Sequence, residues 1–375
     1  MMPDKIHLVL FMTRAMPLRR WAEMGILNRE IAIYKQLQAK LGRVSIVTSG
    51  GEEELAYQSQ LGDMIILYNR WRLPPNLYSL LASLLHARTL RRADVFKNNQ
   101  PDGAWTAVLA AKLFHKPFIA RAGYLWAELH RTDGGRGVKA RMIDWLQRVS
   151  FKAADQIILT TPVMKQHVVE NYAVPPQKIT VIPNYVDTEQ FRPRPEIQPE
   201  KGRICFVGRL HPVKNLDLLI HAVGQIAGVS LVIIGDGPQR QPLEALAAQL
   251  NVPVQFWGIV PQEKIALELC RSELFVLPSR SEGHPKALIE AMAAGTAVLG
   301  TDVSGIREFI EHGQTGWLCQ PDVTSIQTAI QHLLADPDLR AQLGLAARSY
   351  AAQNFAIERI ADKEYDLIAR LVQKW

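Results

Sequence analysis

The chain reads as an α/β protein of two domains, and three observations predict it. Short apolar runs alternate from end to end with longer segments of helical period, the pattern of parallel strands joined by crossover helices. The 375 residues suit two domains at ~100–200 residues each. The formal charge of +7 is unevenly spread: residues 1–192 carry 26 basic and 16 acidic side chains (+10), residues 193–375 carry 17 and 20 (−3). With 48% hydrophobic and 21% charged residues, the composition excludes a disordered, collagenous or repeat chain.

In the first half the apolar runs predict strands over Ile6–Phe11, Val44–Thr48, Met64–Leu67, Ala93–Phe96, Pro117–Ala120, Gln156–Leu159 and Ile179–Ile182. Helical spacing predicts helices over Ile26–Leu41 and Asn76–Leu90. The second half gives strands over Arg203–Val207, Leu231–Ile234, Val254–Trp257, Leu274–Leu277 and Ala297–Leu299. Between the two series lies Phe191–Lys201 with three prolines, where the charge balance changes sign. A domain over 1–192, a linker over 193–202 and a second domain over 203–356 follow.

Cys205, Cys270 and Cys319 stand apart in apolar surroundings, with no CxxC pair and no histidine at zinc spacing. They are expected to be buried thiols of a reducing, cytoplasmic compartment. No apolar run approaches the ~18–20 residues of a membrane span. Ile6–Met12 lacks a small-residue cleavage site and reads as a first strand rather than a signal peptide.

Chemistry gathers in the second half. After the strand ending at Leu277, the loop Pro278–Pro285 holds Glu282 and Gly283, and Pro285 suits the first turn of a helix that carries Glu290. The amides of Gly283, His284, Lys286 and Ala287 then lie at a helix start beyond the carboxyl end of a strand, where open α/β sheets bind ligands. Two acids eight residues apart are often only solvated charges. Here Leu288, Ile289, Ala291 and Met292 surround Glu290, and a glutamate in apolar company needs a hydrogen-bonding duty, such as ribose hydroxyls.

The second unit of this kind runs from Cys205 to Asp217. Gly208 permits a tight turn after the strand, and Arg209 and Lys214 sit at a helix start, where the macrodipole disfavours cations. Cations so placed suit an anion, and a diphosphate leaving group is one. A solvated surface loop would carry the same two residues.

The run Val207–Leu210 with Lys214-Asn215, then Gly235–Pro238, Pro278 through Glu290 to Gly295, Ser304–Glu308 and Gly313–Leu318 strongly resembles the retaining glycosyltransferases of the GT-B fold, family 4, the glycosyl transferases group 1. Five motifs keep their order and spacing over about 120 residues. The resemblance implies two Rossmann-like domains with parallel sheets facing a central cleft, and a last segment, 357–375, crossing back to the first domain. It implies that Arg209 and Lys214 hold the diphosphate of a nucleotide-sugar donor, and that Glu282 and the amides after Gly283 hold the sugar. Glu290 would take the ribose and Glu308 would help build the pocket. The base would rest near Trp257–Val260, with Gly258 and Val260 as contacts.

In the first half the resemblance is looser. Val181–Asp187 with Asn184 resembles the family's segment before the linker, with Tyr185 where glycine is usual. Where many members have a histidine this chain has Arg121-Ala122-Gly123-Tyr124, and the loop after the first strand reads Arg14 to Gly25 in place of a Gly-Gly pair. Arg19, Arg20, Arg121, Gly123 and Asn184 are the candidates for the acceptor side.

Arg141, Trp145, Arg148 and Lys152 fall on one stripe of a helix over Gly137–Lys152, beside an apolar stripe of Val138, Met142, Leu146 and Val149. A tryptophan among cations suits an anionic bilayer surface, and equally a surface helix packed on a neighbour. Arg88, Arg91 and Arg92 at the end of Asn76–Leu90 are explained by the helix dipole.

Other classes fit less well. The dinucleotide fingerprint is missing, since Gly235-Asp236-Gly237 lacks the third glycine, and the Gly-Lys of a P-loop never occurs. Asp336-Pro337-Asp338 is an Asp-x-Asp between helical segments rather than after a strand, so no metal is expected. A nucleotide-sugar epimerase or phosphorylase of the same fold is the nearer alternative, and a non-enzymatic anion-binding protein the second. A nucleic-acid partner would leave Glu282 and Glu290 unexplained. The expected activity is metal-independent, retaining sugar transfer without a cofactor. It would run from a nucleotide-diphosphate sugar to a saccharide or lipid-linked acceptor in cell-envelope polysaccharide or lipopolysaccharide synthesis. The enzyme would be cytoplasmic, with an anionic membrane surface as candidate partner on the inner face of the cytoplasmic membrane.

Overall fold

The computed structural model describes residues 5–132 and 135–375. They form two compact units, the first running to Asn184 and taking in Glu358–Trp375, the second spanning Tyr185–Ile357.

The first unit holds seven parallel strands, β1 (Ile6–Phe11), β2 (Gly42–Val47), β3 (Ile65–Leu67), β4 (Val95–Asn98), β5 (Phe118–Ala122), β6 (Gln156–Leu159) and β7 (Ile179–Val181), in the order β3-β2-β1-β4-β5-β6-β7. β1 is buried along its whole length because helices cover both faces of a parallel sheet. The second unit repeats this winding with six strands, β8 (Glu200–Val207), β9 (Ser230–Ile234), β10 (Val254–Gly258), β11 (Ser272–Leu277), β12 (Val298–Thr301) and β13 (Trp317–Cys319), in the order β10-β9-β8-β11-β12-β13. In both sheets the winding direction reverses between two central strands, β1 and β4 in one, β8 and β11 in the other. Such switch points leave a crevice at the carboxyl ends of the strands.

Twelve of the thirteen strands coincide with predicted apolar runs. β13 was not predicted: three half-buried residues on a sheet edge show neither alternation nor a full apolar run. Several expectations need correction. The helix expected over Asn76–Leu90 is broken at His86 into Pro75–Leu85 and Ala87–Leu90. The loop expected after the first strand contains a short helix, Leu18–Glu23. The fully buried Glu54 holds its start, accepting the amides of Leu18 at 2.8 Å and Arg19 at 3.1 Å. Only Cys205 of the three thiols is fully buried; Cys270 and Cys319 are half-buried.

The stretch 185–202 packs within the second unit. The Val186 amide donates to the Phe355 carbonyl at 2.8 Å, and Arg348 donates to the carbonyls of Thr188, Phe191 and Ala293 at 2.8–3.0 Å. Composition cannot reveal such ties, so the Pro-rich run reads as linker from sequence alone. The last helix, Ile357–Lys374, belongs to the first unit, where its Glu364 pairs with the fully buried Lys97 of β4.

Candidate active site

The second unit's switch point brings together the two loops the sequence singled out. β8 and β11 are hydrogen-bonded neighbours, so the chain leaving Val207 and the chain leaving Leu277 emerge side by side. On the first loop, Pro212–Lys214 forms a 3-10 turn, and Asn215, in the left-handed region at φ 50°, starts the helix Leu216–Val223. Lys214 therefore precedes the helix rather than occupying its first turn. On the second, Pro285 is the N-cap of the helix Lys286–Ala293 instead of its first residue. Both shifts are a residue or two, the scale on which helix ends vary.

Lys214 Nζ lies 2.5 Å from Glu282 Oε1, with the two side chains 19% and 10% exposed, and Ser279 Oγ donates to the same oxygen at 2.6 Å. A clamp holds the loops in register. The Arg280 amide donates to the Val213 carbonyl at 2.8 Å, and its guanidinium donates to Asn215 Oδ1. Arg209 is exposed, and its guanidinium has no hydrogen-bond or ion-pair partner among the described residues. One cation is thus fixed by a carboxylate, the other open to solvent, on a single loop.

Around this pair the other predicted residues take their places. Gly208 begins the loop, and Gly235 at φ 132° touches it so closely that a Cβ would lie 1.9 Å from the Gly208 carbonyl oxygen. Gly305, at φ 83°, stands in the same relation to the Glu282 carbonyl, also at 1.9 Å, and so presses the turn carrying half-buried Glu308 onto the Glu282 loop. Gly283 is exposed at the loop tip, with Lys286 and Ala287 half-buried in the helix's first turn. His284 is buried, its ring centroid 4.4 Å from that of Phe309 and 5.7 Å from that of Phe355. Glu290 is 2% exposed within the helix. Gly258 and Val260 lie at the end of the edge strand β10, where the Gly258 carbonyl accepts the Gly235 amide at 2.8 Å.

In the first unit the proposed acceptor residues divide. Arg121, Gly123 and Asn184 form one network. Arg121 donates to the Asn99 carbonyl at 3.1 Å and to Asn184 Oδ1 at 2.9 Å, while the Gly123 amide donates to Gln100 Oε1 at 3.0 Å. Arg19 and Arg20 are elsewhere, exposed on the short helix and paired with Glu23. The switch point of this sheet is bridged by Arg14, whose Nε is 3.0 Å from Asp102 Oδ1. Sequence reasoning missed the Arg280–Asn215 clamp and the Asn98–Gln100 run, whose residue types carry no signal until the fold brings them near Arg121.

Burial pushes the thiols of Cys205 and Cys319 up to about 12, so neither is a thiolate nucleophile near neutrality. Asp336 of the Asp-x-Asp match is an N-cap, accepting the Leu339 amide at 2.9 Å.

Two strand-loop-helix units thus meet at the switch point of a doubly wound sheet, one carrying Arg209 and Lys214 and the other Glu282. Residues 187–350 match the family model of glycosyl transferases group 1, and residues 31–190 that of glycosyltransferase family 4. Together these span 31–350, and the chain belongs to this glycosyltransferase family. It is 28% identical over 296 residues to alpha-maltose-1-phosphate synthase of Mycolicibacterium smegmatis, covering 70% of this chain and 75% of that one. It is 31% identical over 228 residues to D-inositol 3-phosphate glycosyltransferase of Segniliparus rotundus, covering 56% of this chain and only about half (51%) of that relative. Among solved structures, sucrose-phosphate synthase of Thermosynechococcus elongatus superposes with a TM-score of 0.78 at 20% identity, covering 99% of this chain and 100% of the other. Anabaena Alr3699/HepE in complex with UDP-glucose gives 0.77 at 17%, covering 98% and 100%. The fold is that of the GT-B glycosyltransferases.

Proposed function

We propose that the protein transfers a sugar from a nucleotide-diphosphate sugar to a saccharide or lipid-linked acceptor, with retention of anomeric configuration and without a metal. The observation that carries this reading is the meeting of Lys214 and Glu282 at 2.5 Å across the switch point, beside the exposed Arg209. The bond from the anomeric carbon to the diphosphate oxygen breaks, and a bond to the acceptor oxygen forms. The acceptor's proton passes to the departing phosphate. Arg209 and Lys214 stabilise the charge that develops on the diphosphate, Arg209 as a fork and Lys214 as a point charge. Glu282 takes sugar hydroxyls together with the amides of Gly283, His284, Lys286 and Ala287. Glu290 takes the ribose, Glu308 closes the sugar side, and Gly258 and Val260 support the base. Arg19, Arg20, Arg121, Gly123 and Asn184 are proposed for the acceptor. The excess of basic residues in 1–192 supports a place in cell-envelope polysaccharide or lipopolysaccharide synthesis, peripheral on the inner face of the cytoplasmic membrane.

A thermal-shift panel of UDP-, GDP- and ADP-sugars tests the donor assignment. One nucleotide series should raise Tm, since a ligand at 100 times its Kd stabilises by ~2.7 kcal/mol. A flat response to all three series would contradict it. An epimerase would convert the donor with no acceptor present.

A further inference from the structure

Three of the five leucines on the helix Pro75–Leu85 face solvent, while Leu81 and Leu85 are half-buried. The helix's buried face carries Tyr78, Ser79, Ala82 and Ser83, with the Ser79 hydroxyl turned back onto the Pro75 carbonyl at 2.8 Å. Leu77, Leu80 and Leu84 point to solvent, the last two 56% and 61% exposed. A globular helix normally buries leucine and exposes serine.

The neighbouring helices extend the apolar surface. Ala104–Phe114 packs against Pro75–Leu85 on one side and Gly137–Ala153 on the other. It exposes Leu109 and Leu113, and Gly137–Ala153 exposes Val138, Met142 and Trp145. Of the fourteen large exposed apolar side chains among the described residues, eight stand on these three adjacent helices, which is far from a random scatter over the surface. Of the apolar stripe Val138, Met142, Leu146 and Val149, the first two face solvent, and Ile143, Gln147, Ser150 and Phe151 form the buried face.

Charge identifies what covers this surface. Arg88, Arg91 and Arg92 are exposed on and just after the short helix Ala87–Leu90 that follows the first helix, Lys112 on the second, and Arg141 and Lys152 on the third. The carboxylates in these segments are already engaged: Asp94 accepts the His7 amide at 2.7 Å, Asp102 pairs with Arg14 at 3.0 Å, and Asp144 pairs with Arg148 at 2.8 Å. Exposed apolar side chains and exposed cations on the same group of helices, with Trp145 among them, complement a bilayer of anionic lipid, where leucines enter the acyl boundary and cations meet phosphates. We infer that the face formed by Pro75–Leu85, Ala104–Phe114 and Gly137–Ala153 docks the first unit onto an anionic phospholipid membrane. The inference rests on the membrane part of the proposed function and on none of its donor chemistry.

The test is flotation of the full chain with phosphatidylcholine vesicles containing about one third phosphatidylglycerol, compared with pure phosphatidylcholine. The protein should float with the anionic vesicles at low salt, less at high salt, and not with the neutral ones. The doubles Leu80→Asp/Leu84→Asp and Arg91→Glu/Arg92→Glu should each lower partitioning by about tenfold or more. All four positions are exposed, so far-UV circular dichroism should be unchanged; if one double fails to fold, the other decides. Absence of flotation at low salt overturns the inference, as does flotation that both doubles leave intact. Sedimentation showing a dimer that Leu80→Asp/Leu84→Asp dissociates, without flotation, would assign the face to a second copy of the chain instead. Donor-dependent Tm shifts persisting through any of these results keep a failure here distinct from a failure of the transferase reading.

Discussion

At the scale of single residues, the switch point of the second unit sets Lys214 against Glu282 and leaves Arg209 exposed on the same loop as Lys214. Arg209, Lys214 and Glu282 stand out because cations at a helix start and an acid in a glycine loop are locally costly choices. The 2.5 Å contact joining Lys214 to Glu282 links residues 68 apart in sequence, and no local spacing encodes it. Arg280 looked like an ordinary loop cation until Asn215 met it. A residue with no functional assignment gives the sharpest pH prediction. His86 is held neutral, its pKa lowered to about 4 by burial and, second, by the charge of Arg70, while its Nε2 lies 2.8 Å from the Tyr78 hydroxyl. A folded pKa below the unfolded 6.5 contributes stability that is complete above pH 6.5 and is lost as pH falls towards about 4. Thermal unfolding should therefore show Tm falling across that window, and His86→Gln, which cannot titrate, should fall less steeply. Equal slopes would contradict the assignment.

At the scale of elements, the strands were legible because a parallel sheet covered on both faces writes itself as uninterrupted apolar runs. The edge strand β13 and the helix Leu18–Glu23 were not, since their ends are fixed by tertiary partners: β12 for the strand, Glu54 for the helix. The orientation of Pro75–Leu85 was also hidden. Periodicity reveals that a helix has a leucine stripe, but only the fold reveals that the stripe faces out. Loop packing makes its own prediction. Gly305→Ala would put a methyl 1.9 Å from the Glu282 carbonyl, whereas Gly313→Ala, at a similar φ of 74°, meets nothing within 4 Å. Both substitutions carry the left-handed cost of ~1–2 kcal/mol. Only Gly305→Ala should also raise the donor KM, by about tenfold or more, because it displaces Glu282. Equal kinetics in the two variants would show that this contact does not govern the site.

At the scale of the whole molecule, the uneven charge and the repeated α/β pattern predicted two units with a boundary near 190–202, and the two compact units divide at Asn184–Tyr185. The residual error is physical: Arg348 and Phe355 tie residues 186–191 to the second unit through backbone carbonyls and amides that composition does not register. Each unit winds its sheet about a central switch point. In the second the flanking loops present Arg209, Lys214 and Glu282, and in the first the Arg14–Asp102 pair bridges them. Family membership fits the second arrangement, and in the proposed function these two cations neutralise a departing diphosphate without a metal. The most direct measurement is donor turnover with a chelator present, in the wild type, Arg209→Ala and Lys214→Ala. The wild type should remain active with EDTA, and each variant should lose about 10²–10³ in kcat/KM. Abolition of wild-type turnover by EDTA, or turnover unchanged in both variants, would contradict that role for Arg209 and Lys214.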